Sequence, residues 1–586
     1  MSTFGIFYQY FYILILTFSS LTINYFLLEM ALFKENKWRS TTLIFGSAWF
    51  LFMSEAGFAG LLSLTIGISP SILFRIILFG LASFVLFKNR NSKILKKITK
   101  IRFVYLRKKL TLALLVLVLT SIIILIMQTM NTARPQGYST LIGTLHSGKF
   151  IFISDYIRQC NAIPILQSAW SQSIFVGLLG SSTEVSSALL LYVSLCFSIM
   201  AFALFMIGFF SYFFEKANHK IGHKYYLASL LIICGNFSLS LAWVLVNDSG
   251  NPILFTGYSD IIFGLFFLLF SFLIVSKYEE INLKIVSILL IFLVVNSLIA
   301  SPQILLLLIP SLTILIIYRY RTNFSPLMYF IFVFISSLLV WGGKTGMLLI
   351  QTSKASENFP AIGKLVTTNF FDLFRYENIS PGIPYVLGDT MDNMSEIYPQ
   401  VIASAKLAVQ DRHSPDRFIW HIEQIVISML RPIFWPVIGL SFLGFYLYHK
   451  KNSKLYKIEN GNSSFIKLTN FWIFSITCFI FGISLAFLFG IPGHKWEMAR
   501  FSFPCLVLGL ICLVLFLEEK NLATVRKKYY LTTVILLLFP TVLHVTTTIV
   551  NITNRPEFIR TVPTEYGTMG LFEKPLSMPC ANFESK

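Results

Sequence analysis

The stretch "DIIFGLFFLLFSFLIVSKYEEINLKIVSILLIFLVVNSLIASPQILLLLIPSLTILIIYRYR" (residues 260–321) decides the fold. It holds three apolar runs, at 260–276, 285–300 and 303–318. One charged connection, "SKYEEINLK", and one short break at Ser301 and Pro302 separate them. A helix needs about 20 apolar residues to cross a hydrocarbon core of roughly 30 Å, and these runs approach that length without internal charge. A membrane β-strand would be about half as long and would alternate apolar with polar residues. The runs are unbroken, so they are read as helices.

The same pattern extends in both directions. Spans are expected at 9–32, 41–66, 70–87, 110–130, 186–214, 225–247, 260–276, 285–300, 303–318, 327–343, 426–447, 468–490, 501–517 and 529–550, about fourteen in all. The composition agrees. Of the 586 residues, 55% are hydrophobic and 13% charged, where a soluble protein carries about 25% charged residues. The expected fold is all-α: a polytopic transmembrane helical bundle of about fourteen spans with far-side loops and short interfacial helices.

The formal net charge is +20. In a soluble chain that would suggest nucleic acid, but here the cations sit in short connections between spans. "KNRNSKILKKITKIRFVYLRKK" (88–109) has ten basic residues and no acid, which assigns it to the cytoplasmic side. With strict alternation, "KENKWR", "EKANHKIGHK", "SKYEEINLK", "RYR", "YHKKNSKLYK" and "EEKNLATVRKK" fall on that side too. The chain is expected to be a multi-pass protein of the plasma (inner) membrane, with both termini extracytoplasmic. Membrane lipids are expected partners, and nucleic acid is not. No basic stretch precedes the first apolar run, so 9–32 is read as a retained span rather than a cleaved signal. No GxxxxGK[ST] or GxGxxG motif occurs, which argues against ATP-driven work by this chain.

Five segments follow. Residues 1–109 form a three-span unit with the basic loop. Residues 110–343 form a membrane core that includes a far-side loop at 131–185. A long far-side loop occupies 344–425, four spans occupy 426–550, and a far-side tail runs over 551–586.

Functional candidates concentrate on the far side. In "TLHSGKFIFISDYIRQCNAIPIL" (144–166), Phe152, Ile153, Tyr156, Ile157 and Cys160 recur at helical spacing as one apolar stripe. Ser154, Asp155, Arg158 and Asn161 lie opposite, and Asp155 can pair with Arg158 at i,i+3. Pro164 then ends the helix. Such a helix is expected in the membrane interface, with its stripe on the membrane and Asp155 and Arg158 on the wet side. Asp248 and Asp260 flank a turn on the same face. They are candidates for holding a divalent cation, since hard cations take oxygen ligands, or they simply solvate a hairpin. "GHKWEMARF" (493–501) places His494, Lys495 and Arg500 at the mouth of a span, where Arg500 suits a phosphate or snorkels to the surface. Glu55 and Arg75 fall inside spans and are expected to pair with each other, because an unpaired intramembrane charge is costly. Of seven cysteines, most lie in apolar runs. Cys160 and Cys580 look exposed and are candidates for a bridge.

"HSGKF" (146–150), "SDYI" (154–157) and Pro164, following a span on the far side, resemble the first extracytoplasmic loop of GT-C type glycosyltransferases. These polytopic enzymes take sugars from polyprenyl-phosphate donors. The layout of residues 110–550 is similar, and the residue-level match covers about 20 positions. The family keeps a catalytic carboxylate where this chain has His146 and Ser147. The resemblance therefore implies His146 or Asp155 as the base. It also implies Arg158, Asp248, Asp260, His494, Lys495 and Arg500 around a polyprenyl-phosphate-linked sugar, with the metal requirement open. The alternatives are a multi-pass transporter or flippase of an amphipathic substrate, or a surface-polysaccharide polymerase or ligase.

Overall fold

The computed structural model describes residues 3–32, 41–89, 145–163, 170–213, 259–342, 436–451, 463–488, 499–519, 562–564 and 567–569. These form α1 (Thr3–Leu32), α2 (Thr41–Ile66), α3 (Pro70–Asn89), α4 (Leu145–Cys160), α5 (Trp170–Leu179), α6 (Ser187–Phe213) and α7 (Ser259–Ser276). They continue with α8 (Leu283–Ala300), α9 (Pro302–Tyr320), α10 (Ser325–Gly342), α11 (436–451), α12 (Ser463–Leu488) and α13 (Ala499–Glu519). Two short strands follow, β1 (Val562–Thr564) and β2 (Gly567–Met569). They pair antiparallel, with Val562 opposite Met569. The described protein is thus helical apart from this small ribbon, which the apolar-run reading does not anticipate.

Among the described residues, six helices are long and apolar enough to cross a membrane: Phe7–Leu32, Thr41–Ile66, Pro70–Lys88, Leu283–Ala300, Ser325–Gly342 and Phe465–Leu485. The expected spans at 110–130, 225–247 and 529–550 lie outside the described residues.

α2 is the hub. It is apolar around its whole circumference, as suits a helix enclosed by others. It packs against α1, α3, α5, α6, α7, α8 and α10. Its closest neighbour is α6, and glycine sets the approach. A Cβ at Gly46 would collide with the Ala201 carbonyl and stand 2.5 Å from Phe205 N, and one at Gly208 would stand 2.5 Å from Leu43 Cβ. Small residues at a crossing let helix backbones meet, and dispersion then supplies the attraction that water-driven burial supplies elsewhere. Trp49 Nε1 donates to Ser198 Oγ at 2.9 Å across the same interface. An aromatic ladder ties these helices to the C-terminal part. Phe50 stacks on Phe266 with centroids 4.4 Å apart, and Phe205 meets Phe266 edge-on at 5.0 Å. Phe209, Phe213 and Phe272 converge on Phe471 of α12.

Large apolar side chains also face outward in stripes. Examples are Phe11 and Phe18 on α1, Phe79 and Phe87 on α3, Phe332 and Leu339 on α10, and Phe445 on α11. Exposed apolar surface on this scale is a surface for lipid.

Polar contacts sort the helix ends onto two faces. Where α1 begins, Glu184 N donates to Gln9 Oε1 (2.7 Å), Ser71 Oγ to Asn161 Oδ1 (2.5 Å) and Arg75 Nη2 to Ser182 Oγ (2.7 Å). Where α1 finishes, Asn282 N donates to Ala31 O (2.8 Å), Lys467 Nζ to Tyr212 O (2.8 Å) and Tyr320 OH to Val275 O (2.9 Å). The first face gathers the starts of α1 and α3, the end of α4 and the α5–α6 turn. The second gathers the ends of α1, α6, α7 and α9 and the starts of α8 and α12. This grouping is the one strict alternation requires.

Candidate functional site

α4 is the helix expected from "HSGKFIFISDYIRQC". Asn161 ends it in the left-handed region, at φ 51°, a conformation asparagine tolerates at a helix C-terminus. α4 packs closely on α5 because two glycines of α5 and its following turn leave room. A Cβ at Gly177 would stand 2.9 Å from Ile157 Cβ, and one at Gly180 would stand 3.0 Å from Arg158 Nε. Ser154 Oγ donates to the Ser173 carbonyl at 3.1 Å and fixes the register of the two helices.

At the C-terminal half of α4 an ionic cluster forms. Asp155 is fully buried, and its Oδ1 accepts from Ser187 Oγ at 2.5 Å. Arg158 Nη1 lies 3.6 Å from the same oxygen and donates to Ser187 Oγ at 2.7 Å, while Nη2 donates to the Thr183 carbonyl at 2.8 Å. Ser187 is the first residue of α6, so the carboxylate also sits where that helix's dipole is positive. Burial pulls the Arg158 guanidinium below the ordinary arginine range, and the Asp155 carboxylate opposes that. The cluster joins α4, the 180–186 turn and α6 into one unit.

The expected Asp155–Arg158 pair is therefore present, but its setting is corrected. Neither residue faces water. Ile153, Ser154, Asp155, Tyr156 and Ile157 are all buried, so this part of α4 is enclosed on both faces. Its polar side meets serines and a carbonyl from α5, the following turn and α6.

The expected Glu55–Arg75 pair does not form. Glu55 accepts from Asn24 Nδ2 at 3.2 Å inside the bundle, and Arg75 is exposed beside Ser182. Axial level explains this. Glu55 lies eleven residues, about 16 Å, inside the end of α2, whereas Arg75 lies five residues, about 8 Å, inside the start of α3.

The side chains of the remaining candidates lie outside those described. His146 is in the first turn of α4, nine residues and about 13 Å of helix rise from Asp155. Asp260 and Arg500 are the second residues of α7 and α13. Asp248, His494 and Lys495 lie outside the described residues, as does the long loop at 344–425. Among the described residues no group of three or more His, Cys, Asp or Glu gathers to hold a metal ion. Cys160 is disulfide-bonded, to a partner outside the described side chains. Cys478, Cys505 and Cys512 are buried thiols outside any disulfide, as apolar-run thiols should be.

Sequence reading missed Ser187, Thr183 and Ser182 as partners of the two arginines. It also missed the buried amides Asn24 and Asn296, the latter accepting from Ser171 Oγ at 2.7 Å. A search for uncharged polar residues inside apolar runs would have found Asn24 and Asn296. Compared with known proteins, the chain matches no family model, no curated sequence and no solved structure.

Proposed function

We propose that the protein is a GT-C-like membrane glycosyltransferase that moves a sugar from a polyprenyl-phosphate donor to a lipid, glycan or protein acceptor on the extracytoplasmic side. One observation carries the reading: α4, 16 residues long, is seated on α5 and α6 and reaches, at Asn161, the end of the bundle where α1 begins. That is where the resemblance puts the loop helix of a transferase. The disulfide at Cys160 supports an oxidising compartment for this face, and the basic connections at the other end support a cytoplasmic one.

In this reading His146 takes the acceptor hydroxyl proton. The acceptor oxygen bonds to the sugar's anomeric carbon, and the bond to the donor phosphate breaks with its electron pair leaving on that phosphate. Arg500, His494 and Lys495 receive the phosphate. Asp155 and Arg158 keep α4 in place as positioning residues. The test is turnover of labelled polyprenyl-phosphate sugars by purified protein. His146→Ala should lose about 100-fold or more, and its residual rate should no longer depend on pH near neutrality. Unchanged turnover in His146→Ala removes it as the base, and no binding or turnover of any such donor overturns the transferase reading.

A second reading, a transporter or flippase of an amphipathic substrate, is favoured by the polar pairs Asn24–Glu55 and Ser171–Asn296 in the bundle interior. Movement of a labelled lipid between leaflets of reconstituted vesicles, without any sugar transfer, would decide for it.

A further inference from the structure

Asn24 on α1 and Glu55 on α2 are both 0% exposed. One hydrogen bond joins them, Asn24 Nδ2 donating to Glu55 Oε2 at 3.2 Å. The other oxygen of each group, Asn24 Oδ1 and Glu55 Oε1, is buried with no hydrogen-bond partner. If Glu55 were ionised, both atoms would be acceptors with nothing to accept, and a full charge would sit uncompensated in the bundle. Each orphaned acceptor is destabilising, and an unpaired buried charge more so. On the helices packed against α2, the charged residues are Glu29 on α1, Arg75 and Lys88 on α3, Asp260 on α7 and Lys284 on α8. Glu55 makes an ion pair with none of the described cations among them.

A single proton removes every one of these costs. Placed on Glu55 Oε1, it turns that atom into a donor toward Asn24 Oδ1, while Oε2 goes on accepting from Nδ2. A carboxylic acid and a carboxamide then face each other through two reciprocal hydrogen bonds, with no net charge. A metal cation would also be drawn to these oxygens. A hard cation such as calcium takes about six or more oxygen ligands, however, and the pair offers only two free acceptors. We infer that Glu55 is a proton-binding site within the membrane, its carboxylic acid held by Asn24. This does not depend on the proposed transferase activity.

The test uses the full chain in lipid nanodiscs and infrared spectroscopy at neutral pH. The wild type should show a deuterium-sensitive carboxylic-acid C=O stretch that is absent from Glu55→Gln. The glutamine side chain reproduces both hydrogen bonds, so Glu55→Gln should keep the wild-type fold. Its Tm advantage over the wild type should grow as pH rises. The folded wild type retains a proton that an exposed glutamate releases, so its stability falls with pH, with the folded-to-unfolded ratio dropping at most about tenfold per pH unit. Asn24→Leu supplies a second arm. It should move the acid band without abolishing it, and an unmoved band overturns the pairing. The site as a whole is overturned if the wild type lacks the band, or if sodium or potassium raises the wild-type Tm and Glu55→Gln abolishes that gain.

Discussion

At the scale of single residues, Asp155 and Arg158 show what spacing reveals and what it hides. Their i,i+3 separation on a helical pattern is enough to predict the ion pair, which the structure contains at 3.6 Å. Burial was not legible, because amphipathic reading assumes that a polar helix face meets water. Here the partners come from "GSSTEV" and Ser187, a stretch that reads as loop. Buried pairs fail badly when halved. Arg158→Ala leaves the Asp155 carboxylate buried without its cation, and Asp155→Ala leaves the guanidinium likewise. Each should cost about 3–5 kcal/mol, measured as loss of Tm or of chemical-denaturation midpoint in detergent. Ser187→Ala, which removes one hydrogen bond, should cost about 1–3 kcal/mol. Equal effects from all three would mean that the charge pairing contributes little.

At the scale of elements, the six long apolar helices were legible because crossing a membrane demands a long apolar run and forbids most charge. Every expected span within the described residues corresponds to a helix. α5 was missed for the opposite reason. It has only ten residues, and Ser171, Gln172 and Ser173 fill its first turn after Trp170, so it does not stand out from a loop. Its identity lies in packing, through Gly177 and Gly180 under α4. Gly177→Val should push α4 away, costing about 1–3 kcal/mol as an overpacked contact. It should also raise proteolytic cleavage near residues 161–163. Gly80, where an added Cβ meets nothing within 4 Å, is the control and should tolerate alanine.

At the scale of the whole molecule, the positions of the basic connections and the contacts at the helix ends agree on which ends share a face. The candidate site was less legible than the fold, since catalytic geometry leaves no periodic trace. Among the described side chains of the expected set, Asp155 and Arg158 meet. The arrangement of faces is testable with single cysteines in a background lacking the native thiols. Ser182→Cys and Lys284→Cys, both at exposed positions, should react with a membrane-impermeant maleimide from opposite sides of sealed vesicles. Reaction from the same side would overturn the two-face arrangement.

The hydrogen bond between Asn24 and Glu55 also bears on how the chain enters the bilayer. The two residues are 31 positions apart, on consecutive helices of the described chain. Glu55 is the only charged residue of α2, and an acid in hydrocarbon resists insertion by several kcal/mol. α6, which later packs closely on α2, begins more than a hundred residues downstream. α1 thus carries into the membrane the side chain that meets the acid of α2, and these two helices can settle in lipid together before the downstream α6 has been synthesised.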